Sequence, residues 1–213
     1  MSYIDHLKKS IENATNHISR IEENSDVLKI DGMSSAKVRH LLNNVCSLDD
    51  ARYLEIGAWK GSTLVSALYK NMHIKATCIE NFSEFTGPRN EFISNTQSRI
   101  EKGVIPNFQF VESDCFNLDL KLLSKKNIYF FDGGHTLDDH IKAFTYYNDV
   151  LDDEFICIVD DWNHKHDNVR RGTEEAFKQL SYNVLYSQVL PARFNGDREQ
   201  WWNGIFAAVV KKK

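Results

Sequence analysis

Charge of one sign, long apolar runs and paired cysteines are all missing from this chain. Its 26 basic and 30 acidic residues leave a formal charge of -4. The basic residues are dispersed apart from Lys211, Lys212 and Lys213, so no general attraction for nucleic acid is expected. No run approaches the roughly 18 apolar residues that a membrane span needs, and the N-terminus, MSYIDHLKKSIEN, has no apolar signal core. Nucleic acid and membrane therefore drop out as expected partners, and a small molecule is favoured. Cys46, Cys78, Cys115 and Cys157 lie far apart without a C-x-x-C pair and read as free core thiols in a reducing, cytoplasmic setting. With 3 prolines and 10 glycines there is no low-complexity tract, no repeat and no linker that would split the chain. A length of 213 residues at 42% hydrophobic content suits one α/β-sized domain, 1–213. The G-x-G-x-x-G fingerprint is absent as well, so a dinucleotide is not the expected guest.

What is present is the stretch 53–63, YLEIGAWKGST. It reads as a buried strand ending in Glu55, a turn spaced by Gly57 and Gly61, and a helix opened by Ser62 and Thr63. Glycines let the backbone pass close to a ligand, and a helix N-terminus offers N–H groups. An acidic residue before the turn repels phosphate and favours an ammonium group, which points to a cofactor with an amino-acid end.

E-x-G-x-x-x-G-S/T after a strand resembles motif I of the class I S-adenosylmethionine-dependent methyltransferases. LEIGAWKGST is similar in particular to the cation-dependent O-methyltransferases, the catechol and macrocin-type branches (methyltransferase family 24), which carry an aromatic where Trp59 stands. The resemblance covers roughly residues 34–211. It implies a Rossmann-like, doubly wound α/β fold with a seven-stranded, mostly parallel sheet and an antiparallel last strand. An N-terminal helical extension and lid (1–46) precedes the core (47–213). It also implies a cofactor, S-adenosylmethionine, in contact with Glu55, Gly57, Ala58, Trp59, Gly61, Ser62 and Thr63.

The remaining segments follow that order. Ile4, Leu7, Ile11, Ala14, Ile18 and Ile21 recur at spacings of three and four, predicting one helix stripe that covers the domain's flank or forms a homodimer contact. Ser34 and Ser35 predict the N-cap of a helix through Val38, Leu41, Leu42 and Val45, and 33–37 is a lid candidate by the resemblance. The strand IKATCIE ends at Glu80, beside Asn81. A carboxylate at the end of a second doubly wound strand is placed for ribose hydroxyls. FQFVE gives a third strand closing on Ser113, Asp114 and Cys115. The family's adenine contacts fall there, with Asp114 near the adenine amino group.

NIYFFDGGH and FICIVDDWN are apolar strands that stop at Asp132 and at Asp160-Asp161, with a helix predicted over 136–150 between them. Neighbouring strands would bring these carboxylates to one crevice. Crowded carboxylates need protons or a cation, and oxygen ligands suit a hard ion. By the resemblance, Asp132, Asp160 and Asp161 are ligands for Mg2+, with Asp-Asp where the catechol branch has Asp-Asn. His135 stands where that branch has a lysine base, and an imidazole with a pKa of about 6.5 suits proton removal at neutral pH. Asp132 and His135 are the catalytic candidates. His164 and His166 read as a loop near the site, His140 as a helix-surface residue, and Arg170-Arg171 as an exposed basic turn or a grip for an anionic acceptor. Phe194, Trp201 and Trp202, between the last two strands, wall a pocket or pack in the core.

The expected function is methyl transfer to a hydroxyl of a small sugar or natural-product acceptor, assisted by Mg2+. The alternatives are a metal-independent O- or N-methyltransferase, a non-catalytic cofactor-binding module and, least favoured, a nicotinamide oxidoreductase.

Overall fold

The computed structural model describes residues 1–163 and 167–213. Among them the chain runs α1 (Tyr3–Thr15), α2 (Ala36–Val45), β1 (Arg52–Ile56), α3 (Ser62–Leu68), β2 (Lys75–Glu80), α4 (Arg89–Glu101), β3 (Gln109–Glu112), β4 (Lys126–Phe131), α5 (Leu137–Thr145), β5 (Leu151–Val159), α6 (Asn168–Gln179), β6 (Asn183–Leu190) and β7 (Ile205–Lys211). The strands form one sheet in the order β3-β2-β1-β4-β5-β7-β6. Pairings among β1 to β5 are parallel, and β7 runs antiparallel to both β5 and β6. The seven-stranded, mostly parallel sheet with a reversed last strand is the predicted α/β architecture. The order reverses at β1, where β2 and β3 lie to one side and β4 to the other.

Buried parallel strands read as continuous apolar runs because both faces are covered. In β4 every residue is buried, and alternate side chains feed two layers. Tyr53, Ile128, Phe130, Ile156 and Ile158 pack with α1, α2 and α3 on one face. Leu54, Ile56, Tyr129, Phe131, Cys157 and Val159 pack with α5 and α6 on the other. Each fully buried aromatic or aliphatic side chain contributes about 1.5–3 kcal/mol.

The first helix is shorter than its stripe. It stops at Thr15, where His17 adopts φ 55. The Ile18 N–H donates to Asn13 at 2.8 Å and the His17 N–H to Ala14 at 3.0 Å, a Schellman closure that periodicity does not reveal. Ile18 is consequently exposed, while Leu7, Ile11 and Ala14 are buried in the chain's own core. The stripe therefore covers the domain's flank, one of its two expected uses. Ser35 caps α2 by accepting from the Val38 N–H, as predicted. The helix expected over 136–150 ends at Thr145 and gives way to turns. Cys46, Cys78 and Cys157 are buried free thiols, whereas Cys115 is half-buried rather than core. No described helix is long and apolar enough to cross a membrane.

Candidate active site at the carboxyl edge of the sheet

The parallel ladder continues one residue past the strands. Gly57 N–H donates to Ile79, Asp132 N–H to Ile56, Asp160 N–H to Phe131 and Ser113 N–H to Glu80, at 2.9 to 3.2 Å. This fixes the residues that follow β1, β3, β4 and β5 along one edge, where open α/β sheets bind ligands.

The turn after β1 is held by its neighbours. Gly57 has φ +80, and a Cβ there would sit 2.0 Å from the Asp132 carbonyl oxygen, so glycine is required for the turn to touch the end of β4. Glu80 fastens the same turn to the end of β2. One carboxylate oxygen accepts from Ala58 N–H at 2.9 Å and Trp59 N–H at 2.8 Å, and the other accepts from Phe82 N–H at 2.7 Å. Ser62 and Thr63 open α3 as expected, with Gly61 at its N-cap and no side-chain cap bond.

Glu55 lies beneath. It is fully buried, accepting from the Thr63 hydroxyl and the Tyr53 hydroxyl at 2.6 Å each. Burial pushes its pKa up to about 7; the two hydroxyl bonds oppose that shift, and Glu80 adds to it. Its side chain supports the turn from below and does not line the cavity, which differs from the expected direct contact with an ammonium group. Gly61 is likewise outside the lining.

A cavity of about 550 Å³ opens at this edge. Gly57, Ala58, Trp59, Ser62 and Thr63 line it from the first turn, and Glu80 and Asn81 from the end of β2. Ser113, Asp114 and Cys115 follow β3, Asp132 and His135 follow β4, and Asp160 and Asp161 follow β5. Asp114 closes its own turn by accepting from Phe116 N–H at 2.8 Å.

Three of these side chains converge. The ligating atoms of Asp132, His135 and Asp161 all lie within 4.8 Å of one another. His135 Nε2 is 2.6 Å from Asp161 Oδ2, and the Asn203 amide donates to Asp161 Oδ1 at 2.5 Å. Asp160 falls outside the trio, in contrast to the expected ligand set of Asp132, Asp160 and Asp161. It lines the cavity but is buried, and its Oδ1 accepts from Asp161 N–H at 2.8 Å. Asp161 instead adopts φ 58, which swings its carboxylate toward His135.

Burial, followed by the Asp161 charge, pushes Asp132 well above the usual carboxylate range, with His135 opposing. Burial, then Asp132 and Asp161, pushes Asp160 up. The bond to Asp161 raises His135 above its ordinary value, against the effect of burial. Two carboxylates and an imidazole form a donor set that suits a divalent cation, with the oxygens fitting Mg2+ and the nitrogen tolerated by softer ions.

The other residues sort themselves. Trp201 is buried in the core, while Trp202 lines the cavity and Phe194 is exposed. His140 is not on a helix surface: it is buried on α5, its ring edge-on to Phe131 at 5.1 Å. Arg170 is exposed and pairs with Asp167 at 2.6 Å, away from the cavity lining. His164 and His166 lie outside the described residues. Met33, of the lid candidate, reaches the cavity. Asn203 went unsingled in the sequence, since nothing in an isolated Asn marks it as the partner of a carboxylate 42 residues away.

No family model matches the chain, and no curated protein matches it. Solved structures do. A candidate caffeoyl-CoA O-methyltransferase from Staphylococcus aureus superimposes with a TM-score of 0.62 at 15% identity, covering 96% of this chain and 98% of that one. The O-methyltransferase TomG of Streptomyces achromogenes, involved in tomaymycin synthesis and solved with SAM, gives 0.61 at 15%, with 99% of each chain covered. TrmN from Thermus thermophilus gives 0.58 at 9%, covering 88% of this chain, which spans about half (52%) of that protein. The fold is thus the one these methyltransferases share.

Proposed function

We propose that the protein is an S-adenosylmethionine-dependent methyltransferase acting on a hydroxyl of a small metabolite of sugar or natural-product type, assisted by a divalent cation, Mg2+ in the first instance. The observation that carries this reading is the sharing of one cavity by the Gly57 to Thr63 turn and the Asp132, His135 and Asp161 trio. A volume of about 550 Å³ is in the range of small-molecule sites. The net charge of -4 favours such an acceptor over nucleic acid. Free thiols fit a cytoplasmic setting.

When bound, the cofactor would supply a sulfonium-activated methyl group, transferred to the acceptor oxygen with loss of the hydroxyl proton. Asp132 and Asp161 would hold the cation, whose charge lowers the hydroxyl's pKa. His135, whose Nε2 contact with Asp161 makes the ring more basic, would take the proton. Ala58, Trp59 and Glu80 would face the cofactor's ribose and Asp114 its adenine. The protein's main contribution is alignment of acceptor and methyl group.

A second reading drops the metal. It is favoured by the His135 to Asp161 contact at 2.6 Å, a base with its orienting carboxylate that is complete as it stands.

Thermal unfolding tests both. S-adenosylhomocysteine at about a hundred times its dissociation constant adds roughly 2.7 kcal/mol, or about 5–10 °C for a chain of this size. A further rise with Mg2+ in the wild type, absent when Asp132 and Asp161 are both changed to Ala, supports the metal-assisted reading. Stabilisation by the cofactor product alone favours the metal-free one. No shift with either ligand rejects the proposed function.

A further inference from the structure

Two tryptophans flank the mouth of the cavity, and each carries a cation. Lys60 Nζ lies 4.5 Å from the Trp59 ring centre, and the Arg198 guanidinium lies 5.3 Å from that of Trp202. Both rings line the cavity. A third cation, Lys37 in the first turn of α2, reaches the same 191–204 insert and donates to Gln200 Oε1 at 2.9 Å.

Behind them lies a fourth. Arg39 is 4% exposed, and its guanidinium donates to the backbone carbonyls of Leu28 and Ile30 while Nε has no partner among the described residues. Gly32 is pressed between Arg39 and the cavity-lining Ser62, since a Cβ there would come within 2.6 Å of Arg39 Nη2 and 2.0 Å of Ser62 Oγ. Burial first, and then Arg198, pushes the pKa of Arg39 down to about 10, and Asp31 opposes this.

Compensating carboxylates are already engaged. Asp31 holds Lys60 at 2.8 Å. The insert's own acids are held by Arg193, which contacts Asp197 at 2.8 Å and Glu199 at 2.7 Å. Among the described residues, Arg198 and Lys37 make no ion pair: Arg198 lies on an indole face with Asp31 acting on it at longer range, and Lys37 donates to an amide oxygen. Glu80 and Glu84 line the cavity on the Trp59 side, so the uncompensated cations are those beside Trp202, across from the acidic trio. The two ends are joined through the insert, because Trp202 precedes Asn203, whose amide donates to Asp161 at 2.5 Å.

We infer that the acceptor carries an anionic group, a carboxylate or a phosphate, which docks on Arg198 and Lys37 beside Trp202 while its hydroxyl reaches Asp132, His135 and Asp161. A guanidinium offers planar paired donors that match either oxyanion, and the indole face excludes water from one side of the contact. The buried charge of Arg39 adds a field that favours the same sign of ligand. The inference deepens the methyltransferase reading and rests on it for the hydroxyl end alone.

Three probes with one ring separate the possibilities: glucose, glucuronate and glucose 6-phosphate, titrated calorimetrically into the full-length wild type, Arg198→Gln and Lys37→Gln, with and without S-adenosylhomocysteine. The expected result is at least about tenfold tighter binding of an anionic sugar than of glucose, the size of one charged hydrogen bond. That preference should shrink in each variant and with added NaCl, and the tighter of the two anions identifies the natural group. Equal binding of all three sugars, no gain for either anion, or a preference undiminished in both variants overturns the inference. A thermal midpoint equal to the wild type's certifies that each variant is folded. An anion preference without any S-adenosylhomocysteine binding rejects the methyltransferase reading and keeps the anionic pocket. The reverse pattern rejects the pocket and keeps the enzyme.

Discussion

Replacing Glu55 with Gln should flatten one part of the protein's pH–stability profile. Glu55 is fully buried, and its pKa is raised from the ordinary 4.5 to about 7 because burial outweighs the hydrogen bonds from Thr63 and Tyr53. A carboxyl whose folded pKa exceeds its unfolded one stabilises the fold fully below the unfolded pKa. That contribution is lost as pH rises through the folded pKa. A difference of about 2.5 units corresponds to about 3 kcal/mol, surrendered between roughly pH 4.5 and 7 and constant above it. Gln keeps the shape, and the Tyr53 and Thr63 hydroxyls can rotate to accept from its amide. The assay is urea unfolding of both proteins at half-unit steps from pH 4.5 to 8.5. The wild type should lose about 3 kcal/mol relative to the variant across that window. Parallel profiles, or a wild type that gains on the variant with rising pH, would show that Glu55 is ionised in the fold and refute the reasoning.

Other expectations follow from single contacts. His40 is buried and its pKa is pushed down to about 4, by burial and then by His17. Its contribution is therefore present above pH 6.5 and lost as pH falls through 4, so His40→Gln should lose stability least at acid pH, by the same urea series. Gly57→Ala forces a side chain into φ +80 and 2.0 Å from a carbonyl oxygen; a loss of at least about 2 kcal/mol is expected in equilibrium unfolding. Thr136 and Asp139 form a reciprocal capping box at the start of α5. Thr136→Ala should lower stability by about 1 kcal/mol, and a Tm equal to the wild type's would contradict that cap's importance.

The sheet was legible because parallel strands buried on both faces leave long apolar runs, and NIYFFD and FICIVDD each end abruptly in acid. The adjacency of β4 and β5 followed from the right-handed crossover between them. The turn at Gly57 was legible for a similar reason, since a positive φ against a neighbouring backbone leaves only glycine. Less was readable where a side chain's direction decides the outcome. Which of two adjacent acids faces His135 depends on the left-handed backbone of Asp161, a conformation that no periodicity encodes. The depth of Glu55, the burial of His140 and the early end of α1 are likewise products of tertiary packing. Motif spelling alone would place Glu55 in contact with a ligand, and its hydroxyl partners place it underneath.

The reversal of β7 has a consequence for how readily this scaffold changes its guest. Because β6 runs in the same direction as β5 and β7 returns between them, the 191–204 connection is delivered to the mouth of the cavity by a hairpin anchored to β5 through β7. Its length and composition can vary at small entropic cost, since closure grows only logarithmically with length. The segment is anchored at two points, since Trp201 packs in the core and Asn203 holds Asp161. Grafting another sequence between Leu190 and Ile205 that keeps Trp201 and Asn203 would rewrite the cavity's lining on this side while leaving the turn at Gly57, on the far side of β4, untouched.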